Sequence, residues 1–228
     1  MLTGSAAHHL ARVLRARPGQ LYELCDQGEL WLARITGVKP QRVEFELLEK
    51  LGPAQEAPRL VLLAAVIKFA RFEWFLEKAT ELGVTEIVPV AAQRSQPRLV
   101  EAAAKRVPRW EKILHAAAQQ ARRLQVPYLR SVTPLSEALV GPTCEARILL
   151  SAGESVPPIG AVLHALPQAI RSAALAVGPE GGWTDDEVQA ARRAGFMEAS
   201  LGKNILRSET AVVAALAILH YELSASLG

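Results

Sequence analysis

Cysteine is scarce in this chain, and its scarcity excludes whole classes of protein. Cys25 and Cys144 are the only two among 228 residues, and they lack the paired spacing of a zinc site or a disulfide framework. Both are expected as small buried thiols. Long apolar runs are missing as well. No stretch offers about 20 uninterrupted apolar residues, so no membrane span is expected. The opening MLTGSAAHHLARVLRARPG meets charge before any apolar run, unlike a signal peptide, which places the chain in the cytoplasm. The GxxxxGKS/T phosphate loop and the GxGxxG dinucleotide fingerprint are both absent. No internal repeat or low-complexity tract occurs.

Half of the residues are apolar, enough for a sizeable core at this length. The net charge of +3 hides an uneven distribution. Between Arg94 and Arg130 stand nine basic residues (Arg94, Arg98, Lys105, Arg106, Arg109, Lys112, Arg122, Arg123 and Arg130) against Glu101 and Glu111. The rest of the chain is therefore net acidic. Such a block can neutralise phosphates and release counterions, as nucleic-acid binding requires; a solvated helix face has the same composition.

Residues 1–58 hold short strand-like runs, QLYELCD, ELWLARITGV and RVEFELLEK, parted by turn signals, which fits a small β-barrel or sheet. The His8-His9 segment reads as extended backbone, whose adjacent side chains point to opposite faces and so make a poor metal pair. LGPAQEAPRL, with its prolines and glycine, reads as a linker. Beyond it, apolar runs (LVLLAAVI, VTEIVPVAA, ARILLSA, AALAVGP, MEASLG) alternate with amphipathic stretches (RFEWFLEKATELG, a long helical region to about 125, TDDEVQAARRAG, SETAVVAALAILHYEL). That alternation predicts an α/β domain over 59–228, a parallel sheet covered on both faces. Thr184 with Glu187 matches a capping box, and Gly195 is a helix stop. Ser208 is expected to cap the last helix, whose Val212, Leu216, Leu219 and Leu223 form an apolar stripe suited to the core or to a subunit contact.

Two loops carry the strongest local signals. Ala176-Val177-Gly178-Pro179-Glu180-Gly181-Gly182-Trp183-Thr184 runs from an apolar strand through a glycine-rich turn into a capped helix. Glycine lets backbone approach a ligand, and open α/β sheets bind small molecules at the carboxyl ends of their strands. About 20 residues on, Ser200-Leu201-Gly202-Lys203-Asn204-Ile205-Leu206-Arg207-Ser208-Glu209-Thr210 repeats the arrangement. A tight structural turn explains either loop taken alone. Thr184-Asp185-Asp186-Glu187 is accounted for by capping, so no metal site is assigned to it.

Together, GPEGGWTDDE and LGKNILRSETA closely resemble the paired motifs of the 16S ribosomal RNA (uracil-N3)-methyltransferases of the SPOUT superfamily. The likeness extends to His8-His9-Leu10-Ala11-Arg12-Val13-Leu14-Arg15, to Lys68-Phe69-Ala70-Arg71-Phe72-Glu73-Trp74, to Lys78-Ala79-Thr80-Glu81-Leu82-Gly83-Val84, to Arg94-Ser95 and to the segment from Gln120 to Pro127. It covers nearly the whole chain in order. Two departures stand out. Only MLTGSAA precedes the His pair, shorter than the family's opening segment with its first strand, and the family's Glu-Gln pair stands here as Gln119-Gln120.

The resemblance implies a PUA-like β-barrel that binds RNA (1–58) and a SPOUT domain (59–228) threaded into a trefoil knot, against the unthreaded default. It also implies a homodimer, S-adenosylmethionine as cofactor, and 16S ribosomal RNA or the assembled small subunit as partner, with neither metal nor membrane. Val177, Gly178, Pro179, Leu201, Gly202, Ile205 and Leu206 would hold the cofactor through backbone groups. RNA contacts are implied for Arg12, Arg15, Lys68, Arg71, Arg94 and Arg123. Methylating uridine N3 requires removal of a weakly acidic proton, which calls for a carboxylate and a cation near the reacting atom; Arg207 and Glu209 are the pair expected there. A SPOUT enzyme with another target atom, such as a ribose 2′-hydroxyl, or a non-catalytic ribosomal RNA-binding protein are the competing readings.

Overall fold

The structure is a computed structural model that describes residues 1–26, 29–53, 58–123, 125–153, 155–166 and 170–225. The chain divides into two compact units, Met1–Glu56 and Ala57–Gly228. The middle of the expected linker, residues 54–57, lies outside the described residues. Its flanks are not linker: Leu51, Gly52 and Pro53 finish one strand, and Arg59 begins the next.

The first unit contains β1 (Leu2–Thr3), α1 (Gly4–His8) running into a π-helical turn (His9–Val13), β2 (Leu21–Asp26), β3 (Glu29–Lys39) and β4 (Arg42–Pro53). The strands pair antiparallel in the order β1-β4-β3-β2. Despite the short N-terminus, Leu2 and Thr3 still pair with Val43 and Arg42. The extended reading of His8-His9 is corrected: both backbones are helical, as the alanines beside them favour. Ala7, Ala16, Ile35 and Val43 form this unit's small core, with Tyr22 and Phe45 edge to face beside it.

The second unit contains β5 (Arg59–Ala65), α2 (Phe69–Glu81), β6 (Glu86–Ala91), α3 (Pro97–Ala103), a 3-10 turn (Ala104–Arg106), α4 (Val107–Gln120), β7 (Tyr128–Leu129), β8 (Thr133–Pro134), α5 (Leu135–Ala138), β9 (Ala146–Leu150), α6 (Ile159–His164), β10 (Ser172–Val177), α7 (Asp185–Arg193), β11 (Met197–Ala199) and α8 (Ser208–Ala225). Its strands lie parallel in the order β11-β9-β10-β5-β6-β7, with β8 also on β6. The apolar runs therefore have both faces to fill. Along β5, Leu60, Leu62 and Ala64 face the core with Phe72, Trp110 and Leu216, whereas Val61, Leu63 and Ala65 face the one with Leu139, Trp183 and Phe196. Pro89 is tolerated in β6 because it sits where the strand changes partner: Ile87 pairs with β7, Val90 with β8.

Val212, Leu216, Leu219 and Leu223 are all buried in the core of this single chain. The stripe is internal packing and is not available for a subunit contact. Among the described residues no helix is long and apolar enough to cross a membrane.

Candidate functional site

Strand β10 delivers the chain into the first glycine-rich loop. There the Gly182 N–H donates to the Pro179 carbonyl at 2.8 Å, and Thr184 opens α7 with the expected capping box. The box does more than cap. Glu187, almost fully buried, accepts from the Thr184 N–H at 2.9 Å through one oxygen and from the Gln93 N–H at 2.8 Å through the other. It therefore ties this loop to the segment after β6. Gly195, at φ +81°, ends α7 as expected, with Phe196 donating back to Ala191.

Two side chains brace the loop from outside. Arg94 donates through one guanidinium nitrogen to the carbonyls of Gly181 (2.7 Å) and Trp183 (3.0 Å). The Trp183 indole N–H donates to the Leu150 carbonyl at 3.0 Å, at the end of β9. Its ring lies so close to Gly178 that a Cβ there would stand 3.1 Å from it. A side chain at 178 would force that ring to give by a few tenths of an ångström.

The second loop leaves β11 at Ser200, whose hydroxyl donates to the Val156 and Pro157 carbonyls. Residues 201–206 form no regular element, and none of their backbone N–H groups donates to a described residue. Buried or ligand-facing backbone donors must find partners, so this loop has donors to offer. The expected cap at Ser208 is corrected by one residue: Ser208 is already helical, and the Arg207 carbonyl accepts from the Ala211 N–H.

The loops face one cavity of about 330 Å³ at the carboxyl ends of β9, β10 and β11. All seven residues expected to hold a cofactor line it: Val177, Gly178 and Pro179 on one side, Leu201, Gly202, Ile205 and Leu206 on the other. Leu150, Ser151, Ala152 and Trp183 also line it and were not foreseen as site residues; the only signal for the first three was an apolar run ending in small residues. Among the described residues, Arg94 and Glu180 are the only ionisable ones on the wall. Such a site binds by shape and backbone hydrogen bonds, and its size lies at the small end of ligand pockets.

The charged residues are arranged differently from expectation. Glu209, largely buried, has Arg71 as its partner: Arg71 Nε lies 3.5 Å from Glu209 Oε1, and Arg71 also donates to Glu180 at 3.2 Å. The other oxygen of Glu209 is buried without a hydrogen-bond partner. Arg207 is exposed. Arg123, expected at the RNA, is engaged within the protein: its guanidinium donates to the carbonyl of Thr80 in the last turn of α2 and to those of Gly83 and Val84 just past it, and burial lowers its pKa. Elsewhere in the basic block, Arg106 and Arg109 pair with Glu73 and Arg130 with Glu86. Lys68, exposed, precedes α2. Arg12 and the positive-φ Arg15 are exposed in the first unit.

Residues 55–220 match the RNA methyltransferase domain family and residues 2–48 the RNA methyltransferase PUA domain family. A ribosomal RNA small subunit methyltransferase E from Synechocystis is 36% identical over 95% of this chain and 71% of its own length. The chain belongs to the ribosomal RNA small subunit methyltransferase E family. Another member of that family, from Bacillus subtilis, is 30% identical over 97% of this chain and 89% of its own. The solved methyltransferase E of Neisseria gonorrhoeae, bound to S-adenosyl methionine, superposes with a TM-score of 0.73 at 35% identity, covering 96% of this chain and 90% of its own. The family's fold accounts for both units: a PUA domain before a mixed α/β domain on a parallel sheet.

Proposed function

We propose that this chain is an S-adenosylmethionine-dependent methyltransferase acting on N3 of a uridine in 16S ribosomal RNA of the small subunit. The carrying observation is the cavity at the ends of β9, β10 and β11, into which both family loops project. Its fit to the cofactor rests on the backbone N–H groups of residues 201–206, none of which donates to a described residue. Val177, Gly178, Pro179, Leu201, Gly202, Ile205 and Leu206 would hold S-adenosylmethionine, which supplies an electrophilic methyl group.

The chain's own task is to prepare the nitrogen. Glu209 carries a buried oxygen with no hydrogen-bond partner and takes the N3 proton, while the exposed Arg207 steadies the negative charge that develops on the uracil. Lys68, Arg71 and Arg94 contact RNA from the methyltransferase domain (59–228), and Arg12 and Arg15 from the PUA-like barrel (1–58). The reading includes a trefoil knot in the catalytic domain, a cytoplasmic homodimer, and the naked RNA or assembled small subunit as substrate.

The test is transfer of labelled methyl from S-adenosylmethionine to 16S RNA in small subunits, followed by mass analysis of the nucleosides. Formation of 3-methyluridine is the expected result. A 2′-O-methylated nucleoside would leave the base-pairing edge free and reassign the target atom. No incorporation by folded protein that binds RNA would mean a binding protein.

A further inference from the structure

A second cavity, of about 380 Å³, opens beside the first. The two share Arg94, Glu180 and Gly181 in their walls, so they meet along the tip of the glycine-rich loop. The rest of its wall comes from outside the cofactor loops: Val66 and Ile67 after β5, Lys68 and Arg71 at the start of α2, and Gln96 and Leu99 at the start of α3.

Its chemistry differs from that of its neighbour. Lys68, Arg71 and Arg94 line it against the single carboxylate of Glu180, leaving a cationic excess. Arg71 is shared between Glu180 and Glu209. The Lys68 ammonium has no ion-pair or hydrogen-bond partner among the described residues, and Arg94 uses only one guanidinium nitrogen. Cations with donors to spare suit a phosphate diester. The wall also offers an apolar surface at Leu99 and one neutral amide, Gln96, able to donate and accept at once. An exposed base edge asks for that combination.

We infer that this cavity is the subsite for the target nucleotide of the RNA, with Lys68 and Arg71 facing its phosphate and Gln96 its base. The inference rests on the proposed function and extends it to residues that family motifs did not single out, Gln96 and Leu99. Arg71 then faces the nucleotide while pairing with Glu209, and is a positioning residue for that carboxylate.

The test fills the cavity without entering the other one. Gln96 is exposed and makes no side-chain capping bond to α3, so Gln96→Trp is expected to fold. It should leave S-adenosylmethionine affinity unchanged in calorimetry, yet cut kcat/KM for small-subunit RNA by about 100-fold, the cost of a displaced reactant. Lys68→Gln should raise KM for RNA and make the salt dependence of RNA binding shallower by about one phosphate. As a direct probe, uridine 5′-monophosphate added to cofactor-loaded wild-type protein should give saturation-transfer signals that Gln96→Trp abolishes. Wild-type kcat/KM in Gln96→Trp would overturn the inference, and so would an equal loss of cofactor affinity, which would make the space part of the first cavity. If the wild type methylates no RNA, the proposed function fails instead; nucleotide binding that Gln96→Trp abolishes would still place a nucleotide here.

Discussion

The side chain that meets Glu209 is Arg71: Nε of one lies 3.5 Å from Oε1 of the other, while Arg207, two residues before the glutamate, is exposed. Removing a cation from a largely buried carboxylate strands it. Arg71→Ala is expected to lower stability by about 1–3 kcal/mol, the cost of a buried group left without its partner. Adding Glu209→Gln should restore most of that loss, because it removes the stranded charge. Urea midpoints of the wild type and these two variants measure this; equal losses in single and double variants would show the pair to be energetically idle.

Gly178 and Trp183 make a second coupled pair. The indole cannot retreat easily from a new Cβ, since its N–H is held by the Leu150 carbonyl. Gly178→Ala should therefore cost about 1–3 kcal/mol by overpacking and weaken cofactor binding in calorimetry. A wild-type denaturation midpoint in this variant would mean that the ring gives way freely.

Glu187 should matter more than the threonine it caps with. Thr184→Ala forfeits one capping acceptor, about 1 kcal/mol. Glu187→Ala also frees the buried tether to the Gln93 N–H, so about 2 kcal/mol is expected, at roughly 1 kcal/mol per lost hydrogen bond. Thermal melts that rank the two the other way would refute the tether.

Arg123 is expected to act on stability alone. Its guanidinium serves three carbonyls at and just past the end of α2, which a lysine ammonium cannot span. Arg123→Lys and Arg123→Ala should both lower the melting temperature, while RNA affinity per folded molecule and its salt slope stay at wild-type values. A shallower salt slope in filter binding would return Arg123 to the RNA surface.

Cys144 is half-buried beside the core that holds Trp183. Burial, the largest influence, raises its thiol pKa, with Arg59 and Arg147 opposing. The thiolate is the reactive form, so alkylation of the folded protein by iodoacetamide near pH 8 should be slower at Cys144 than for a free cysteine peptide. Peptide mapping after a timed quench reads the site separately from Cys25; a rate equal to the free thiol's would contradict the burial effect.

The local arrangements were legible from the chain alone. Apolar strands alternating with amphipathic helices, the Thr184–Glu187 capping box and the stop at Gly195 each depend on neighbours a few residues apart, and each formed as read. Each glycine-rich loop taken alone read as a tight turn, and it was their joint resemblance to family motifs that marked them as site material. Tertiary structure decided what periodicity cannot encode: the strand order that brings the ends of β9, β10 and β11 side by side, Trp183 as the reason for Gly178, and the partners of the charged residues. An arginine in a sequence shows a cation and a reach of several ångströms, but its partner is set by which elements pack beside it. That is why Arg123 turned inward to carbonyls at the end of α2, and why Glu209 found its counter-ion on α2, far back along the chain.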